Sequence, residues 1–477
     1  MKKFTDNPWR LLALISTSVY VIFWALWYFC YKYVLIWLEG YSYFSTLPDY
    51  WELCKSLPSG FLIYVGSFLH QFYLMPAVGA AIQALFDLWP VLCTGIMVIR
   101  LTKDPGRFLW ISLIPLPFFA YQQFWDLNLL LALKWFIVFT SAMLVVILVT
   151  SFRLLGIVIP RWICNTAFSI TISVAALGLS IYFLVGFDPR TREHEERACL
   201  EFLGERHLWD DILERVTPQE ARSDEFKKRY ALLALTEKGI LSDYAFRYGL
   251  AGSDDFFFRE TIEPMSLNFN ALLYQCLGMH NASIHQSYQF GVQSVSGVGF
   301  ASLRRMADLY IDLKDYRLAK KYVDVLSHSS CYRSWVNERI SKLEAIKDSV
   351  PSYSDPTYAA TIANFTHTIS SMVDRNRGNR KYTDLLLCSL LADEEGDKFK
   401  KIFSYVAQVQ YPSGKDLPRL YEEALILIAM VDPDILAAYS ISEDTQRRFA
   451  DYVNMMNAGR GTQALRKHAD TYWAYSY

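Results

Sequence analysis

Several common kinds of chemistry have no foothold in this sequence. No two of the eight cysteines (Cys30, Cys54, Cys93, Cys164, Cys199, Cys276, Cys331 and Cys388) form a C-x-x-C, which removes the usual zinc-ribbon and thioredoxin-like patterns. His70, His194, His207, His280, His285, His328, His367 and His468 contain no metal-spaced pair; His280 and His285 are five apart, off a common helical face. No G-x-S-x-G or H-E-x-x-H occurs, and Gly297-Val298-Gly299 lacks the Lys-Ser/Thr of a phosphate loop. Glu422 and Glu423 stand beside Arg419 as on a solvated or salt-bridged helix face. The net charge of −1, with no basic stripe, provides no electrostatic footprint for nucleic acid. No metal and no cofactor is expected.

What the chain has is apolar length. It is 53% hydrophobic and 16% aromatic, with 20% charged residues, and the charges crowd into the part after residue 187. Asn165–Val185 is 21 residues without a charge, long enough at about 1.5 Å per residue to cross a hydrocarbon core of about 30 Å. It divides a membrane half, 1–187, from a water-facing half, 188–477. Five crossings are expected near 11–34, 76–99, 108–124, 129–150 and 165–185, the third kinked at Pro115 and Pro117. The first is too long for a signal-peptide core and no small-x-small cleavage site follows it. The stretch 61–99 is long for one crossing and short for two. One crossing keeps Arg100, Lys103 and Arg107 inside, and leaves 61–72 as a helix lying on the outer surface, with Phe61, Leu62, Val65, Phe68, Leu69 and Phe72 at helical spacing. Lys2, Lys3, Arg10, Arg153 and Arg161 then also fall inside, and Lys55 alone in the outer loops. This arrangement places the N-terminus in the cytoplasm and the C-terminal half outside it, periplasmic for a bacterial inner-membrane protein.

After Thr191 the pattern becomes helix, turn, helix, with pairs opening near 226, 267 and 300. Such a period predicts an all-α repeat architecture. In one unit Leu303, Met306, Ala307, Tyr310, Ala319, Val323 and Leu326 follow the large-large-small-large-small-large-large order of a tetratricopeptide repeat, with Ala307 and Ala319 as the positions where two helices approach closely. The expected fold class is therefore all-α: a multi-pass helical membrane region followed by a tetratricopeptide-like solenoid.

Gln71-Phe72-Tyr73 with Pro76 and Gly79, Tyr230-Ala231-Leu232-Leu233-Ala234-Leu235 ending at Gly239, the unit at 300–326, the run from Leu417 to Ala424 and the ending Thr471-Tyr472-Trp473-Ala474-Tyr475 together carry a resemblance. The chain resembles a family of uncharacterised bacterial inner-membrane proteins with N-terminal crossings and a helical-repeat C-terminal domain. The resemblance implies that architecture and brings no activity.

Among polar residues, Asp87 falls within the second crossing, where a carboxylate is costly and is paired or functional. Lys134 on the fourth helix is the expected partner. The leading functional expectation is an interaction or scaffold protein, in contact with membrane lipids and docking a protein or peptide outside the cytoplasm on its stacked helices. The alternative is an enzyme similar to lipid-linked glycosyltransferases, with Asp49 and Glu52 acting from the first outer loop ahead of the interfacial helix. The lack of an inverted repeat argues against a transporter.

Overall fold

A computed structural model describes residues 7–103, 105–151, 166–186, 188–354, 358 and 365–476. All of the described secondary structure is helical. Lys2, Lys3, Arg153, Arg161, Cys164 and Asn165 lie outside the described residues. Cys30, Cys54, Cys93, Cys331 and Cys388 are free thiols.

The chain forms two compact units. One comprises Met1–Cys199 with Gly291–Ser349, the other Leu200–Phe290 with Val350–Tyr477. This differs from the expected cut at residue 187, because the helix pair beginning at Phe300 folds with the N-terminal part.

In the first unit, helix α1 spans Pro8–Cys30. It starts where Asn7 accepts hydrogen bonds from the Trp9 and Arg10 amides, with Pro8 at the first helical position. Tyr31 breaks the helix, and α2 continues over Lys32–Tyr41, so the expected crossing at 11–34 is two helices. The Tyr33 and Val34 amides that open α2 donate to the Glu195 carboxylate at 3.1 and 2.8 Å. Short helices α3 (Pro48–Ser56) and α4 (Gly60–His70) follow, then a 3-10 turn over Gln71–Leu74. Helix α5, Pro76–Leu101, is the one long helix of the 61–99 stretch; Pro76 starts it and Pro90 lies inside it.

The expected third crossing is interrupted. It consists of α6 (Pro105–Phe108), a 3-10 turn over Leu109–Leu113 and α7 (Leu116–Phe124). Pro115 and Pro117 cannot donate to a helical ladder running through this stretch. Helix α8, Leu130–Ser151, buries only Leu133. Its exposed Ile137, Val138, Leu144, Val145 and Leu148 make it apolar all round, as a lipid-facing helix is. Helix α9, Thr166–Ile181, continues into a π turn at Tyr182–Gly186. Among the described residues, three helices are long and apolar enough to cross a membrane: α1, α5 and α8.

Two clusters mark opposite ends of this bundle. At one end Leu12, Val98, Phe108 and Leu109 pack together, and Gly95 leaves room for Leu12. At the other, the Phe124 ring lies 6.2 Å from that of Trp27 and 4.9 Å from that of Tyr31. The Arg190 guanidinium there sits 5.6 Å over Trp125, and the α4 backbone at Gly66 meets the Asn128 carbonyl.

The second unit stacks helices around three that are buried on every side: Glu225–Glu237, Pro264–Cys276 and Arg380–Ala392. Each of the runs Arg229–Thr236, Met265–Tyr274 and Thr383–Ala392 is buried without interruption, the pattern of an inner layer rather than an amphipathic surface helix. Gly239 and Gly278, at φ 69° and 71°, end the first two in the left-handed conformation that favours glycine.

Candidate functional site

The bundle interior holds polar groups on an otherwise apolar frame. Asp87 is fully buried on α5, and its Oδ2 accepts a hydrogen bond from Trp27 Nε1 at 3.0 Å. Its Oδ1 has no partner among the described residues. Lys134, the expected partner, is exposed on α8. Helix periodicity could not reveal that Trp27, 60 residues away, is the donor.

The Tyr73 hydroxyl lies within electrostatic reach of both the Asp87 and Asp126 carboxyls. The Tyr73 ring meets His70 edge-on at 4.9 Å. A Cβ on Gly79 would come within 3.1 Å of this ring, so the glycine of the Gln71-Phe72-Tyr73/Pro76/Gly79 motif makes room for it. His70 is buried with neither ring nitrogen hydrogen-bonded among the described residues, and burial pushes its pKa down to about 3. Asp126 caps α8, accepting from the Ala132 amide at 2.7 Å. Burial pushes its carboxyl up, opposed by the amides at the start of α8. Gln123 Nε2 donates to the Gln83 carbonyl at 3.0 Å and joins α7 to α5.

A second constellation seats the pair of helices at Phe300–Asp312 and Tyr316–Ser327. Ala307 and Ala319 are fully buried, and Leu303, Met306, Val323 and Leu326 are buried with them. Tyr310 is partly exposed and stacks on Tyr322 at 5.6 Å. The seven residues expected to pack thus belong to one hairpin. The hairpin rests on Tyr43, Phe44, Tyr50 and Ile63, from the segment that follows α2 through α4. The backbone joins as well: Phe300 N donates to the Ser42 carbonyl at 2.8 Å, Thr46 N to the His328 carbonyl at 3.3 Å, and the Ser329 hydroxyl to the Phe44 carbonyl.

Glu39, fully buried at the end of α2, lies at the centre of this seat. It accepts from the Tyr332 hydroxyl and faces Arg304 NH1 at 3.6 Å, while Arg304 NH1 donates to the Tyr332 oxygen at 2.9 Å. A lone acidic residue after an aromatic run was its only sequence signal. Asp49 and Glu52 are exposed on α3, and Glu52 pairs with Lys55 at 2.7 Å. They do not converge on the buried polar groups.

In the second unit an open groove of about 510 Å³ is lined by Lys415, Asp416, Arg419, Glu422, Ser440 and Asp444, among others. Glu422 is buried rather than on a solvated face, and accepts from the Ser442 and Thr445 hydroxyls at 2.6 Å each. Glu423 is also buried and pairs with Arg419 at 2.8 Å, and its other oxygen accepts from the Tyr472 amide at 2.7 Å. That contact fixes the aromatic C-terminal segment. Among the described residues no three or more His, Cys, Asp or Glu side chains gather as a metal ion would require.

The model of DUF6057, a family of unknown function, matches residues 7–187 and 162–477, and the chain belongs to that family. No curated protein and no solved structure matches the chain significantly.

Proposed function

We propose that this chain is a membrane-anchored interaction protein of the bacterial inner membrane. It traverses the membrane five times, with its N-terminus in the cytoplasm, and its second unit docks a protein or peptide partner outside. The observation that carries the reading is the seat of the hairpin. Residues 39–46, which follow α1, bind residues 299–332 through backbone hydrogen bonds and the buried Glu39. The chain must therefore return to the side of the first outer loop after leaving it. Four traversals between Tyr31 and Asp188 satisfy this: α5, the broken 105–124 segment, α8 and α9. The two end clusters favour the same path, since Leu109 lies with Leu12 at one end and Phe124 with Tyr31 at the other.

The hairpin has the residue order of a tetratricopeptide unit and is held in the first unit by the segment after α2. The groove from Lys415 to Thr445 mixes cations, carboxylates and hydroxyls, which suits a polar peptide segment better than an apolar ligand. A photoreactive residue at Lys415 or Asp444, with crosslinking in intact cells and mass spectrometry, should capture one recurrent partner. The same residue at exposed Lys238 should not. Equal, diffuse capture at both positions would refute the docking role.

A further inference from the structure

We propose that a cleft at the outer end of α8 binds the ammonium headgroup of an outer-leaflet lipid. The proposal rests on the membrane-spanning reading above and adds a ligand to it. The cleft lies between α5, α7 and α8, and its volume of about 20 Å³ takes one water-sized group, the size of an ammonium. Its walls include Trp89, Trp135 and Phe136; the Trp89 and Phe136 rings stack at 4.4 Å. Asp126 and Gln122 close one side, and Phe86 and Pro90 line another.

Four features point to a cation with N–H donors. First, the acidic group in the wall, Asp126, forms no ion pair among the described residues: its hydrogen bonds come from backbone amides, and Arg190 near Trp125 pairs with Asp188 instead. The nearest basic side chain of α8, Lys134, is exposed. Second, the Gln122 Oε1 atom is buried and accepts no hydrogen bond from any described residue. A buried acceptor in that state calls for a donor. Third, Pro90 has no N–H to give the Phe86 carbonyl four residues earlier, so a backbone acceptor in the same wall lacks its helical partner. Fourth, the rings of Trp89, Trp135 and Phe136 line the same cleft, and aromatic rings attract a cation through their quadrupoles.

Depth selects the source. Trp135 and Phe136 lie within about 9 Å of the start of α8 at a rise of 1.5 Å per residue. That is the headgroup level if the Trp125–Asn128 turn is at the outer surface. The Trp135 indole N–H is buried and donates to no described residue, so it is placed to serve the phosphate that a lipid carries next to its ammonium. A primary ammonium supplies three donors for three acceptors, whereas a trimethylated one supplies none.

The test uses the full chain, purified in detergent and stripped of lipid, with native mass spectrometry. Phosphatidylethanolamine, phosphatidylcholine and phosphatidylglycerol of one acyl composition are titrated. Phosphatidylethanolamine should bind at concentrations at least tenfold below the other two, and Asp126→Asn should remove that preference. Asparagine is itself a good helix cap, so the variant keeps the start of α8. Trp135→Leu should weaken binding without touching the cap. Equal binding of all three lipids by the parent chain would overturn the proposal, even if both variants failed to fold. Saturable binding of free ethanolamine with no binding of the lipid would overturn the lipid source. A chain that stays soluble after detergent removal would overturn the membrane reading itself. A chain that needs detergent and does not discriminate headgroups would overturn this proposal alone.

Discussion

Replacing Glu39 with Gln isolates the charge at the hairpin seat while keeping the side chain's length and its capacity to accept from Tyr332. The carboxylate is fully buried, and the Arg304 side chain is 19% exposed. Removing one member of a buried ion pair typically costs about 3–5 kcal/mol, because the other charge is left desolvated. Arg304 keeps some access to water and its hydrogen bond to Tyr332, so the loss should be somewhat smaller, about 2–3 kcal/mol. At about 1.4 kcal/mol per factor of ten, hairpin opening should rise by about 30- to 140-fold. Hydrogen exchange on the full chain in detergent reads this directly: peptides covering 300–327 should lose protection by that factor. Peptides from 225–237, inside the second unit, should exchange as in the parent. If the 300–327 peptides of Glu39→Gln exchange at the parent rate, Glu39 does not hold the hairpin.

Ala307→Leu and Ala319→Leu should each cost about 1–3 kcal/mol by overpacking a seam where both residues are fully buried, measured by thermal unfolding. Asp308→Ala should cost about 0.5–1 kcal/mol in the same assay, because Asp308 forms a two-point ion pair with Arg339 at 3.1 and 3.2 Å. Burial raises Asp384 from 3.8 to about 6. The folded chain therefore holds a proton that the unfolded chain releases, and stability falls as pH rises from about 4 to about 6; Asp384→Asn should remove that slope, worth about 3 kcal/mol in all, in melts across this range. Cysteines at Gly40 and Ala301 should form a disulfide on mild oxidation, since a Cβ on Gly40 would lie 3.2 Å from that of Ala301; a reduced pair would separate the hairpin from the outer loop.

Local patterns were legible where one residue type decides the outcome. Apolar length announced α5 and α8, despite Asp87 in the one and Lys134 in the other, and Pro115 with Pro117 announced the interruption before α7. Small residues at Ala307 and Ala319 announced the hairpin seam. Contacts that depend on distant partners left no such trace. Glu39 and Tyr332 are 293 residues apart, and the acid alone reads as a polar loop residue. The division at 187 followed composition, but amphipathic helices can pack on either unit. The seat for the third helix pair is set by backbone partners at Ser42, Phe44 and Thr46, which any sequence supplies. Glu422 was misread for a similar reason: its buried partners, Ser442 and Thr445, are brought in by a later helix. Lys134 was matched to Asp87 by charge and depth, but Lys134 is exposed and the indole of Trp27 meets the buried carboxyl.

The account turns on one side of the membrane holding both the first outer loop and the second unit. In a Gram-negative host expressing variants whose native cysteines are replaced, a membrane-impermeant maleimide should label a cysteine at Asp49 and one at Ser440, both exposed positions. A cysteine at exposed Lys103, after α5, should label only once the membrane is opened. Labelling of Ser440→Cys only after the membrane is opened, with Asp49→Cys labelled from outside, would contradict the account.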